Sequence, residues 1–152
     1  IEEIEPSELA LEHQWILSRT NRTIAEVHRG LNEYRFNDVA HALYQFVWHE
    51  FCDWYLEFIK PALYGNKGEL EERSSKKVLW RVLHDTLILL HPITPFVTEE
   101  IWHILPGTEG SIMKATFPTN EKAFNAIPFD PDAVVEMELI MAMVQATALA
   151  LA

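Results

Sequence analysis

Asn37 to Pro61, NDVAHALYQFVWHEFCDWYLEFIKP, is the stretch on which the fold turns. As one helix it would reach roughly 35 Å at 1.5 Å per residue. Asn37 suits an N-cap, and Asp38 behind it suits the positive end of the helix dipole. Pro61 is the first residue that disfavours continuation. Wound at about 100° per residue, Asp38, Gln45, His49, Asp53 and Lys60 form one narrow polar stripe, and most of the remaining circumference is apolar. A helix of that kind is expected to be central, with Trp54 in its core and other helices around it.

Composition agrees with a helical coat. The 152 residues suffice for one domain with a proper core, and 49% hydrophobic against 23% charged residues fits a soluble globular chain. Only five glycines occur, and the prolines stand between periodic segments, which disfavours a turn-dense β fold. Cys52 is the single cysteine, so no internal disulfide can form and a reducing cytoplasm is the expected home. The acidic opening is unlike a signal peptide. Leu139 to Ala152 is interrupted by Gln145 and Thr147 and falls short of the about 20 residues a bilayer span needs, so no membrane association is expected. The formal charge of −11 argues against non-specific binding of nucleic acid, yet leaves room for a local basic strip.

Pro6-Ser7-Glu8 signals a helix start with Ser7 as cap, after a connecting segment over residues 1–6. Leu9, His13, Ile16, Thr20, Ile24, Val27, Leu31 and Tyr34 define the expected core face of this first helix. Trp15, Arg19, Arg22 and Arg29 form a second stripe, expected roughly opposite that face. Arg35-Phe36-Asn37 is a tight connection that makes the first two helices antiparallel neighbours. A third helix begins in the charged stretch Glu69 to Lys77, and its apolar face runs from Leu79 to Leu90. Thr94-Pro95 starts a short fourth helix ending near Ile104. Residues 111–117 read as a short extended segment laid against the bundle. Residues 119–152 supply a Pro-rich connection and a last helix opening at Asp132, still helical where the sequence stops, which suggests a longer parent. The expectation is an all-α bundle of five main helices, with the Asn37–Tyr64 helix the most buried.

No Gly-rich phosphate loop follows a strand, so no catalytic residue and no cofactor are assigned to this chain. His49-Glu50-Phe51-Cys52-Asp53 has Asp53 where the helical zinc motif needs a second His, and no metal site is expected. Glu50 and Glu57, seven apart, are expected as core-edge carboxylates held by cationic or backbone partners. Cys52 is better placed as a small apolar filler than as a nucleophile served by His41 or His49. The arginine stripe carries the functional signal: arginines contact phosphates, and an exposed ring stacks on an unpaired base. Trp15 and Arg29 are candidates for docking another domain. Arg35-Phe36 is a separate candidate, a cation beside a ring at a bundle end; in the alternative, Phe36 packs as a hydrophobic staple.

HEFCDWYLEFIKP, from His49 to Pro61, resembles the corresponding helix of valyl-tRNA synthetases. WILSRTNRTIAEV (Trp15–Val27), HPITPFVTEEIW (His91–Trp102) and SIMKATFP (Ser111–Pro118) resemble segments of the same family in the same order, the second being shared across class Ia synthetases. Thr20 and Phe117 depart from the pattern, where leucine and tryptophan are expected, and hint at a divergent or paralogous copy. The resemblance implies an anticodon-binding helical bundle over residues 7–118, joined by residues 1–6 to a catalytic core that uses ATP with Mg²⁺. It implies two partners, the anticodon arm of a valine-accepting tRNA and the catalytic domain of the same chain. Arg19, Arg22, Arg35, Phe36 and Lys60 are the expected tRNA contacts. The competing expectations are a helical interaction scaffold that no longer binds RNA, or the equivalent domain of an isoleucyl enzyme.

Overall fold

The computed structural model describes residues 9–119 and 131–150, and every regular element among them is helical. In chain order these are α1 (Leu11–Asn32), α2 (Phe36–Tyr44), a π-helical stretch (Gln45–Tyr55), α3 (Leu56–Leu63), α4 (Glu69–Leu90), α5 (Pro95–Ile104), a 3₁₀ turn (Ile112–Lys114) and α6 (Pro131–Ala150). Because α2, the π stretch and α3 are continuous, the described residues hold the five expected main helices. Ser7, the 1–6 connection and residues 120–130 lie outside the described residues.

The long helix differs from its expected form in three ways. It begins at Phe36 with no side-chain cap, so Asn37 is already inside it. Pro61 sits within α3 rather than ending it. The carbonyl it frees belongs to Glu57, an exposed residue. Third, the middle is π-helical. The wider turn spaces the buried residues Phe46 and Phe51 five apart, where an α-helix would use three or four. Trp54 is thereby carried to the core margin, where it is half-buried and stacks on Phe58 with centroids 5.6 Å apart.

The most buried helix is α1. It buries ten residues against seven for the longer run from α2 to α3, so α1 is the central element instead. Its expected core face is buried from Leu9 to Val27, but Tyr34 at its end is 81% exposed. The largest core gathers Trp15, Ile16, Phe46, Phe51, Tyr55, Ile59, Val82 and Met137, from α1, the π stretch, α3, α4 and α6. A second, of Ile24, Val27, Val39, Leu43 and Leu89, closes the opposite end of α1. Residues 111–117 are extended at Ser111 and Ala115 but wind into the 3₁₀ turn between them. The Ser111 hydroxyl accepts from the Met113 amide, and Ile112 is driven against Leu87, Ile88 and Trp102. By length and composition α6 could cross a membrane, but Met137 packs into the main core and Glu138 lies 3.9 Å from Arg19.

One polar cluster ties three elements together at the centre. The fully buried His13 places Nδ1 3.1 Å from the Tyr55 hydroxyl and Nε2 3.2 Å from Ser75 Oγ and 3.4 Å from Glu71 Oε1. With a carboxylate near Nε2, the proton belongs there, leaving Nδ1 to accept from Tyr55. Burial lowers the His13 pKa below 6.5, only partly opposed by Glu12 and Glu71, while Lys67 adds to the lowering. Burial likewise raises the Tyr55 pKa and keeps the hydroxyl a donor. As pH falls through 6.5 the unfolded chain takes up a proton at this position before the folded one does. Stability is therefore expected to fall with pH in that window, by at most about 1.4 kcal/mol per unit from this group. Urea midpoints of the wild type and His13→Gln, at about pH 7.5 and 5.5, bracket that unfolded-state value. An equal pH dependence in both proteins would remove His13 as its source.

Candidate nucleic-acid interface

The turn between α1 and α2 shapes the site. A Cβ on Gly30 would lie 2.5 Å from Val39 Cγ2, so glycine is what lets the two helices close together here. Helix α1 ends with the Arg35 amide donating to the Gly30 carbonyl at 2.8 Å, the long bond of a Schellman closure. The left-handed residue such a closure requires is Tyr34, with φ +58°. A non-glycine residue there stores about 1 kcal/mol or more of strain. The result is a ring thrown outward, edge-on to Phe36 at 6.3 Å. Phe36 is itself 60% exposed. Sequence patterning placed Tyr34 on the core face; the signal that could have moved it is its position just past a helix end.

Between α1 and the α2–π run lies a groove of about 390 Å³, lined by Arg19, Arg22, Glu26, Arg29, Arg35, Asp38, His41, Gln45 and Glu50 among others. Four guanidinium groups face three carboxylates, so the groove is locally positive on a chain of formal charge −11. The arginines are not equivalent. Arg19 is the most enclosed: its Nε donates to Glu50 Oε2 at 2.9 Å and its Nη2 to the other oxygen. The hydrogen bond from Glu50 outweighs burial and raises the Arg19 pKa further, with the charges of Glu50, Glu138 and Glu26 adding to it. Arg22 is exposed and pairs with Glu26 one turn on, at 2.9 Å. Arg35 spans Glu33 at 3.1 Å and Asp38 at 3.0 Å, all three on the surface. Arg29 is exposed and has no ion pair among the described residues. Exposed pairs of this sort are worth about 0–1 kcal/mol, so a phosphate can take the guanidinium from a carboxylate at little cost.

The structure thus joins Arg19, Arg22 and Arg35 in one groove and adds Arg29, which the sequence pattern had set aside for domain docking. It removes Trp15 from the stripe. That ring is 1% exposed, packed in the main core that also holds Met137 of α6. An amphipathic reading assumes one buried face, and α1 has two. Lys60 lies outside the groove, on α3, where it pairs with Glu57. Glu57 is correspondingly exposed and not the core-edge group expected, whereas Glu50 is held as expected by an arginine of α1. Phe36 borders a second, apolar hollow with Val39, Ala40, Pro92 and Ile93.

The remaining candidates for chemistry are ordinary. Among the described residues no group of three His, Cys, Asp or Glu side chains could hold a metal ion. His49 and Asp53 meet at 3.3 Å on the surface. Burial first, and Asp53 second, push the Cys52 thiol pKa above its usual value, away from the thiolate a nucleophile needs.

Comparison with known proteins gives the family. A family model described as the anticodon-binding domain of tRNA ligase matches residues 13–148. The valine–tRNA ligase of Desulfotalea psychrophila is 46% identical over 139 residues, which cover 91% of this chain and 15% of that protein. Those of Geobacter sulfurreducens and Carboxydothermus hydrogenoformans are 45% and 42% identical, each over 93% of this chain and 16% of the relative. The chain therefore spans about one sixth of the length of these relatives. With a match that takes in the arginine groove and all five helices, the chain belongs to the anticodon-binding domain family of tRNA ligases.

Proposed function

We propose that this domain holds the anticodon arm of a valine-accepting tRNA inside a cytoplasmic valine–tRNA ligase, whose other domains attach valine using ATP and Mg²⁺. Nothing in this chain is assigned to ATP, since no phosphate-binding loop occurs in it. The observation that carries the reading is the groove in which Arg19, Arg22, Arg29 and Arg35 converge on a chain that is otherwise acidic. Arg22, Arg29 and Arg35 are the phosphate contacts, because surface carboxylates hold them weakly or not at all. Arg19 sets the groove wall through Glu50 and offers its remaining N–H groups to the same strand. Phe36, beside Tyr34, is the ring on which an unpaired anticodon base stacks. Lys60 would touch the arm only as a separate, outlying contact.

The salt dependence of binding tests this. Arg22→Ala and Arg29→Ala are each expected to make the plot of log affinity against log salt shallower by roughly 0.7–0.9, the signature of one lost phosphate contact. Slopes equal to that of the wild type would leave the groove as a surface for another domain of the parent, where the arginines meet carboxylates.

A further inference from the structure

On the shoulder of α2 next to the groove, the Tyr44 and Trp48 rings stack in nearly parallel planes, with centroids 6.5 Å apart and an interplanar angle of 13°. They are 55% and 56% exposed. His49 meets Tyr44 edge-on at 5.7 Å, and Asp53 lies 3.3 Å from the same imidazole, so the ledge is braced along one side. Two large rings left this exposed are costly unless something covers them, since each leaves apolar area that burial would remove at about 25 cal/mol per Å². The α-to-π transition positions them. Tyr44 is the last α-helical residue and Trp48 belongs to the π stretch, whose wider turn sends burial to Phe46 and Phe51 and leaves Trp48 outside.

What covers the ledge follows from its neighbours. His41, three residues before Tyr44, and Gln45, the residue after it, both line the arginine groove. Tyr44 lies only about 60° around the helix from His41, so a strand leaving the groove passes over it. A cationic groove beside flat exposed rings is the pairing by which proteins bind single-stranded nucleic acid: the groove follows the backbone and the rings take the bases. We propose that Tyr44 and Trp48 form a stacking platform for unpaired RNA bases, continuous with the groove and separate from the Tyr34–Phe36 turn. The inference rests on the RNA reading of the groove and extends it to a second group of nucleotides.

The test measures binding of the full chain, at low salt, to an RNA stem–loop with an unpaired loop and to the same stem with abasic loop positions. Both rings are half-exposed, so Tyr44→Ala/Trp48→Ala is expected to keep the wild-type circular dichroism spectrum. Its affinity for the stem–loop is expected to fall roughly five- to hundredfold, the range for one stacked base. The salt slope should not change, because no phosphate contact is lost. Trp48→Phe should restore part of the affinity, and the penalty for the abasic loop should be smaller in the double variant than in the wild type. If the double variant binds both RNAs as the wild type does while Arg22→Ala weakens binding, the platform is overturned and the groove stands. A loss of affinity with the abasic penalty unchanged would also overturn it, as would, should the double variant unfold, a folded Trp48→Ala that keeps the wild-type affinity and abasic penalty. A wild-type chain with no RNA affinity would overturn both readings.

Discussion

Trp15→Ala is expected to lower the stability of the domain by about 3–5 kcal/mol, the usual cost of emptying a large aromatic core site. The ring is 1% exposed, and the main core around it draws on α1, the π stretch, α3, α4 and α6. Its removal loosens α6 in particular, because that helix buries only Ala133 and Met137 among the described residues. A domain of this size has about 5–15 kcal/mol in all, so the variant will be partly unfolded in mild urea. Trp15→Phe, which keeps most of the volume, should recover the greater part. Urea unfolding followed by far-ultraviolet circular dichroism reads both. A loss below about 1 kcal/mol for Trp15→Ala would mean the site collapses freely and the ring is not a keystone.

That one residue also marks what could be learned from the amino-acid order. Some helix ends were legible from the residues that punctuate them, Gly68 before Glu69, Pro95 at the start of α5 and Pro106-Gly107 after it, whereas the cap expected at Asn37 and the stop expected at Pro61 were not used. The helical class was legible from periodicity, and the pairing of Glu50 with an arginine from the cost of leaving a half-buried carboxylate alone. Depth was not legible. A stripe of Trp15, Arg19, Arg22 and Arg29 looks outward when α1 is imagined with one neighbour, but α1 is covered on two sides and the stripe divides. Its tryptophan goes into the core shared with α6, its arginines into the groove against α2. The π stretch was hidden for a related reason. Projection at a fixed angle per residue cannot show a local change of winding, and it therefore placed Trp54 too deep and left Tyr44 and Trp48 undistinguished from core. The groove could be anticipated only in part, since Arg35 joins Arg19, Arg22 and Arg29 through the sharpness of a turn that rests on Gly30 and a left-handed Tyr34.

Replacing Arg35 and Phe36 together by alanine in the parent protein is expected to reduce charging of valine tRNA by about ten- to a hundredfold while leaving valine activation intact. A base stacked on Phe36 is worth about 1–3 kcal/mol, and each 1.36 kcal/mol is tenfold in rate or affinity. On the proposed reading Arg35 holds a phosphate, so its loss is expected to flatten the salt dependence by roughly 0.7–0.9 as well. Neither residue is needed for folding: Phe36 is 60% exposed, and the Arg35 side chain engages only surface carboxylates. A thermal melt should therefore stay near the wild-type value. The deficit should lie in KM for tRNA more than in kcat if the arm is held equally in ground and transition states, and in kcat if anticodon contact is used to align the acceptor end. Two measurements separate the possible failures. Charging and activation both unchanged would mean that Phe36 only lids the apolar hollow over Val39 and Ala40. Loss of both with a lowered melting temperature would mean that the turn holds the bundle together. Loss of charging alone is the outcome that a cation and two outward rings, set at the end of an arginine groove, are built to give.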